Sequence, residues 1–180
     1  MRKIVAGLFM SLDGVVESPE KWHFPYFNDE MGEAVGAQMA TSDTMLLGRV
    51  TYEEFAGYWP SSSDDIAEFM NGTPKVVVST TLGEPEWANS TVIDSDVAAE
   101  LARLKEQPGK DISITGSPTL VRSLLRDGLL DELRLLVHPI VVGSGKRLFP
   151  DGVGRVPLAL VDAKTFSTGV LALTYRPVDS

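Results

Sequence analysis

The chain has no cysteine, which excludes disulfides, thiolate nucleophiles and zinc held by sulfur, and fits a reducing, cytoplasmic setting. It also lacks a surplus of basic charge. Sixteen Lys and Arg stand against 25 Asp and Glu, a net charge of −9. That balance argues against a nucleic-acid or anionic-membrane surface, while leaving room for a local positive pocket. No apolar run approaches the roughly 20 residues of a membrane span. The stretch after Met1-Arg2-Lys3 is short, contains Gly7 and ends in Ser11-Leu12-Asp13-Gly14, so it reads as a first strand and not as a secretion signal. Only two histidines occur, His23 and His138. Both read as structural, and they offer no metal-ligand spacing, so no metal site is expected. Repeats and low-complexity tracts are missing too. A length of 180 residues suits one domain, 1–180, with a substantial core.

What the chain does have is an alternation of buried strands and helices. Strands are predicted over residues 3–10, 44–47, 75–79, 91–94 and 111–115. A helix starts at the N-cap Asn28 and carries Met31, Ala34, Val35, Gln38 and Met39 on one face. Thr51 and Glu54 have capping-box spacing, which predicts a helix from Tyr52 toward Tyr58. Further helices follow Ser95 and Ser117. Such a rhythm gives right-handed crossovers and a parallel sheet with helices on both faces. After Gly128 it stops: residues 132–142, 158–163 and 170–175 read as strands joined without helices, so the sheet should finish in antiparallel strands.

Two strand-to-helix turns carry the chemistry. In Thr115-Gly116-Ser117-Pro118 a buried strand meets a glycine, a serine suited to an N-cap and a first-turn proline. Leu120, Val121, Leu124 and Leu125 give the following helix its apolar face. Free amides and the positive end of the dipole favour an anion there, although a plain tight turn reads equally well. Leu47-Gly48-Arg49-Val50-Thr51 repeats the logic and adds an arginine suited to bidentate phosphate contacts. The alternative is a surface arginine paired with Glu53 or Asp43. Two such turns in one sheet suit a diphosphate with one more phosphate. Neither matches the P-loop or the G-x-G-x-x-G fingerprint.

With these segments in view, the chain resembles the dihydrofolate reductase superfamily, and more closely the reductase domain of the riboflavin-biosynthesis deaminase/reductase and its small stand-alone relatives. The resemblance runs over nearly the whole length through Met10-Ser11-Leu12-Asp13-Gly14, Leu47-Gly48-Arg49-Val50-Thr51-Tyr52, Lys75-Val76-Val77-Val78-Ser79, Thr115-Gly116-Ser117, Leu130-Asp131-Glu132-Leu133 and His138-Pro139-Ile140-Val141-Val142-Gly143-Ser144-Gly145. It implies a dihydrofolate reductase-like three-layer α/β sandwich that binds NADPH along the carboxyl ends of the strands. Gly48, Arg49 and Thr51 would hold one side of the dinucleotide, and Ser79 and Thr80 the adenosine end, where Arg49 would meet the 2′-phosphate. Thr115, Gly116 and Ser117, with Leu120 one turn on, would take the diphosphate. Ser11, Asp13 and Gly14 would lie by the nicotinamide.

The sequence departs from folate reductases where they carry a first-helix carboxylate. Trp22-His23-Phe24-Pro25 resembles the segment leading into that helix, and the acid position two residues past the proline is Phe27. Asp13 and Asp29 remain as the acidic candidates, Glu30 and Glu33 being nearby. Trp22 and Phe27, with Phe24 and Tyr26, are candidates to line a pocket for a flat ring or to anchor the loop. The expectation is an NADPH-dependent reductase of a small heterocycle or ribosylamino-pyrimidine, with dihydrofolate reduction disfavoured. The alternative is a non-catalytic nucleotide binder. A homodimer is expected, because the C-terminal strands leave an apolar edge to cover.

Overall fold

The computed structural model describes residues 1–179. Its centre is β1 (Ile4–Ser11), β2 (Ser42–Gly48), β3 (Lys75–Val78), β4 (Ser90–Ile93), β5 (Asp111–Thr115), β6 (Glu132–His138), β7 (Leu158–Thr165) and β8 (Leu171–Pro177). They form one eight-stranded sheet in the order β4-β3-β2-β5-β1-β6-β8-β7. The six strands from β4 to β6 run parallel. Both pairings of β8 are antiparallel, as expected for the C-terminal strands. Continuous apolar runs such as Met45-Leu46-Leu47 are buried because both faces of the sheet are covered.

The helices are α1 (Asp29–Ala40), α2 (Arg49–Tyr58), α3 (Ala67–Gly72), α4 (Val97–Glu106) and α5 (Pro118–Arg126). Leu101 of α4 and Leu120, Val121, Leu124 and Leu125 of α5 pack on Ile4, Ala6, Leu8, Leu46 and Ile114. On the other face Tyr52 and Met70 join Met45, Leu47 and Val77, while Met31 of α1 packs near Phe9 and Leu136. The fold is thus a dihydrofolate reductase-like three-layer sandwich. No helix among the described residues is long and apolar enough to cross a membrane.

Several element ends differ from the sequence expectation. Asn28 does cap α1, its Oδ1 accepting from the Met31 amide at 3.1 Å. However, α2 begins at Arg49 with Gly48 as N-cap, so Thr51 is a first-turn residue and the capping box does not form. Helix α4 is capped by Asp96 instead of Ser95 and stops at Glu106. Strand β6 stops at His138, before Pro139, which has no amide to donate to a ladder. Helix α3 has no counterpart in the sequence reading; at six residues its periodicity is too brief to register.

The amino ends of the strands are fastened by polar groups. Arg2 bonds to Asp43 and, at 2.7 Å, to Thr44 Oγ1. The buried Glu132 carboxylate accepts from Lys3 at 2.9 Å, Arg134 at 3.0 Å and Arg176 at 2.9 Å. Burial alone would raise the Glu132 pKa, but these three hydrogen bonds outweigh it and lower the value to about 2. The carboxyl ends are left for the site.

Candidate active site

The two glycine turns meet because β2 and β5 are neighbours in the sheet. Their helix starts are interlocked. The Gly48 amide donates to Ser117 Oγ at 2.9 Å, and the Ser117 amide donates to Thr51 Oγ1 at 3.2 Å. Ser117 is the N-cap of α5 by position, but its backbone is left-handed (φ 52°) and its side chain makes no bond to its own helix. Each hydroxyl therefore serves the neighbouring helix start, which corrects the local cap roles read from the sequence. A Cβ on Gly48 would sit 3.4 Å from Ser117 Oγ, and Gly116, at φ +71°, adopts a backbone that side chains disfavour. The first-turn amides of α2 and α5 have no acceptor within their own helices, so two sets of donors converge at one end of the sheet.

The other expected contacts are distributed around this pair. Arg49 is half-exposed and pairs with Glu53 at 2.9 Å, the alternative that its sequence setting had left open. An exposed i,i+4 pair is worth only about 0.3–0.5 kcal/mol, so a phosphate can displace it. Ser79 is buried, and its hydroxyl accepts from the amides of Thr81 and Leu82 at 3.2 and 3.0 Å; it builds the turn that presents exposed Thr80. Thr115 is exposed at the end of β5. The Leu120 side chain lies in the core against Gly48, leaving only its amide to face a ligand.

Ser11, Asp13 and Gly14 close a tight turn at the end of β1. Ser11 is fully buried, donating to Asp13 Oδ1 at 2.6 Å and accepting from the Val15 amide at 2.9 Å. The Asp13 carboxylate also accepts from the amides of Val142 and Gly143 at 3.1 and 2.9 Å. Those bonds, from Ser11 first and then Gly143 and Val142, lower its pKa to about 2. Asp13 is thus a clasp on the 139–148 loop, ionised near neutrality and not a source of protons. Gly14 (φ +85°) completes the clasp, accepting from the Leu148 amide at 3.0 Å.

The other acidic candidates all lie on α1. Asp29 is exposed on the first turn of α1, and Glu33 is exposed on its second. Glu30 accepts from the amide and hydroxyl of Ser167 at 2.8 and 2.7 Å, with the amide bond the larger cause of its lowered pKa. Phe27 precedes the Asn28 cap with its ring beside Gly32.

What the sequence reading missed is an aromatic cluster built around both histidines. His23 stacks on Phe9 with centroids 4.5 Å apart and planes 11° apart, and lies 4.3 Å from Phe24. His138 meets Phe9, Trp22, His23 and Tyr26 edge to face at 5.2–5.9 Å. Trp22 is held by its indole N–H, which donates to the Glu17 carbonyl at 3.2 Å. Burial, foremost, lowers the pKa of both imidazoles; His138 lowers that of His23 further, while the Leu136 and Met10 carbonyls work the other way on His138. The density of rings in residues 22–27 is visible in the sequence, but the approach of Phe9 and His138 to it is a property of the β1–β6 pairing.

Comparison with known proteins adds the following. The profile of the RibD C-terminal domain matches residues 2–172. Uncharacterized protein YyaP of Bacillus subtilis (strain 168) is 32% identical over 181 residues, covering 97% of this chain and 95% of that protein. A putative riboflavin biosynthesis protein from Shewanella sp. PV-4 superposes with a TM-score of 0.81 at 17% identity, over 98% of this chain and 99% of the other. Dihydrofolate reductase from Enterococcus faecalis, solved with NADP(H), gives a TM-score of 0.59 at 16% identity, over 98% and 97% of the two chains.

Proposed function

The chain belongs to the RibD C-terminal domain family, and on that premise we propose that it is an NADPH-dependent reductase of a small heterocyclic substrate of the ribosylamino-pyrimidine type. The observation that carries this reading is the interlocked pair of helix starts at Gly48–Thr51 and Gly116–Ser117. The donor set fits a dinucleotide. First-turn amides of α2 and α5 face the diphosphate, Gly48 and Gly116 keep the backbone approachable, and Arg49 with Thr80 meets the 2′-phosphate end. When bound, NADPH supplies the hydride; the protein orients the two partners and excludes water. The Asp13 clasp ties the carboxyl end of β1 to the 139–148 loop.

The test is oxidation of NADPH, followed optically, against a panel of ribosylamino-pyrimidines, pterins and imines. Turnover is expected on the pyrimidine or imine members and not on dihydrofolate. A non-catalytic nucleotide binder is the second reading, favoured by the engagement of Asp13 and Glu30 and by Phe27 at the acid position. Tight NADPH binding without turnover on any member selects it.

The reading includes a homodimer. Strand β7 has a free edge and exposes Leu160 and Val161, which are 55% and 46% accessible. Bare edges with apolar side chains invite pairing. Light scattering behind size-exclusion chromatography should give twice the 19.5 kDa chain mass; a monomer mass at working concentration overturns this.

A further inference from the structure

We propose that Lys75 is a positioning residue for the adenosine end of the cofactor, fixing the 79–89 connection against α2 through Trp87 and so setting Thr80 beside Arg49. The inference rests on the reductase reading for the cofactor, and goes beyond it in naming what shapes this end of the site. Three side chains of the ordinarily charged types are buried among the described residues: Arg2, Lys75 and Glu132. Arg2 pairs with Asp43, and Glu132 with Lys3, Arg134 and Arg176. Lys75 is 1% exposed and has no ion-pair partner among the described residues. Burial lowers its pKa to about 8, which leaves it protonated at neutral pH. An unpaired buried ion is costly, and a methionine of similar length would avoid that cost. Lys75 therefore marks a place where donors and a positive charge hold something.

What it holds is the far end of the connection between β3 and β4. Lys75 Nζ donates to the carbonyls of Asn71 at 2.9 Å and Ala88 at 3.0 Å, and stands 4.0 Å from the centroid of the Trp87 ring. Trp87 is buried. Its indole N–H donates to Asn71 Oδ1 at 2.7 Å, and its amide donates to the Tyr52 hydroxyl of α2 at 3.0 Å. One ammonium thus joins α3, β3 and the end of the connection, and Trp87 carries the joint to α2. Residues 79–89 form no helix or strand, so their path depends on such anchors. Leu82, whose amide closes the Ser79 turn, packs on the same cluster as Tyr52, Val77 and Trp87. Exposed Thr80 sits between that turn and Leu82. Gly48 is in register with Val78, so Arg49 and Ser79 leave the parallel sheet as neighbours. Lys75 itself lies four residues before Ser79, roughly 13 Å along the strand, so it acts through Trp87 and not on the phosphate.

The test is a double-mutant cycle on the whole chain, with Lys75→Met, Thr80→Val and the two together. Dissociation constants for NADPH and NADH are read from cofactor fluorescence. Lys75→Met should weaken NADPH about fivefold or more and leave NADH within about twofold. The double variant should lose no more than the larger single loss, because both substitutions act on one contact. A lysine that served only the stability of the fold would weaken both cofactors alike or neither, and its loss would multiply with that of Thr80→Val. Either of those outcomes overturns the positioning role. If Lys75→Met fails to fold, the unmutated chain decides. There 2′,5′-ADP should shift the indole N–H resonance of Trp87, one of three tryptophans, while 5′-AMP leaves it in place. An equal response to the two probes, or none to either, overturns the coupling. An unmutated chain that binds neither NADPH nor NADH overturns the reductase reading and this inference together; NADPH binding with equal or multiplied losses overturns the positioning role alone.

Discussion

Arg49→Ala should weaken NADPH about tenfold to hundredfold and leave NADH within about twofold, the range expected when one charge-assisted contact to a phosphate is lost. Arg49 stands at the first position of α2, next to Gly48, where the helix start already favours anions. Its present partner, Glu53, is half-exposed like itself, so that ion pair does not compete with a dianionic group. In the variant Glu53 is left without its cation, and its charge then opposes the 2′-phosphate. NADH carries no phosphate there and should not register the change. Equal losses for the two cofactors would mean that Arg49 acts on the diphosphate or on the helix start itself.

The second large effect lies at the other end of the sheet. Glu132→Ala should cost roughly 3 kcal/mol and lower the melting temperature by roughly 10 °C. Removing a buried charge from its pairs costs about 3–5 kcal/mol in general. The lower end applies here because Lys3 and Arg176 are about half-exposed and regain water. The sign of the pH dependence follows from the lowered pKa. The stabilisation is fully present above the ordinary carboxylate range and is lost as pH falls toward about 2. Acid unfolding between those limits should thus be shallower in the variant than in the parent chain. Denaturant melts at pH 7 and pH 3 measure both effects, and a pH-independent difference would remove the linkage.

The sequence carried the parallel sheet and its order of elements because buried strands and amphipathic helices repeat with different periods. It also carried the antiparallel finish, since the helices cease after Gly128. Cap roles were less legible. Thr51 and Ser117 have the spacing of local caps, but β2 and β5 lie side by side, and each hydroxyl finds its partner in the neighbouring turn. Spacing along one segment does not reveal a neighbour that folding supplies. The same reason hid the histidine cluster. Phe9, His23 and His138 come from three distant segments, so each histidine taken singly read as structural, His23 in a loop and His138 within a strand. Arg49 was legible only as a choice between an ion pair and a phosphate contact. The structure displays the ion pair, and its small worth leaves the phosphate contact open.

The interlocked helix starts are the centre of the account, and cofactor titration tests them most directly. Fluorescence of NADPH should be enhanced saturably on addition of the chain, with a dissociation constant at least about tenfold below that for NADH. No enhancement with either cofactor up to millimolar concentration would contradict it.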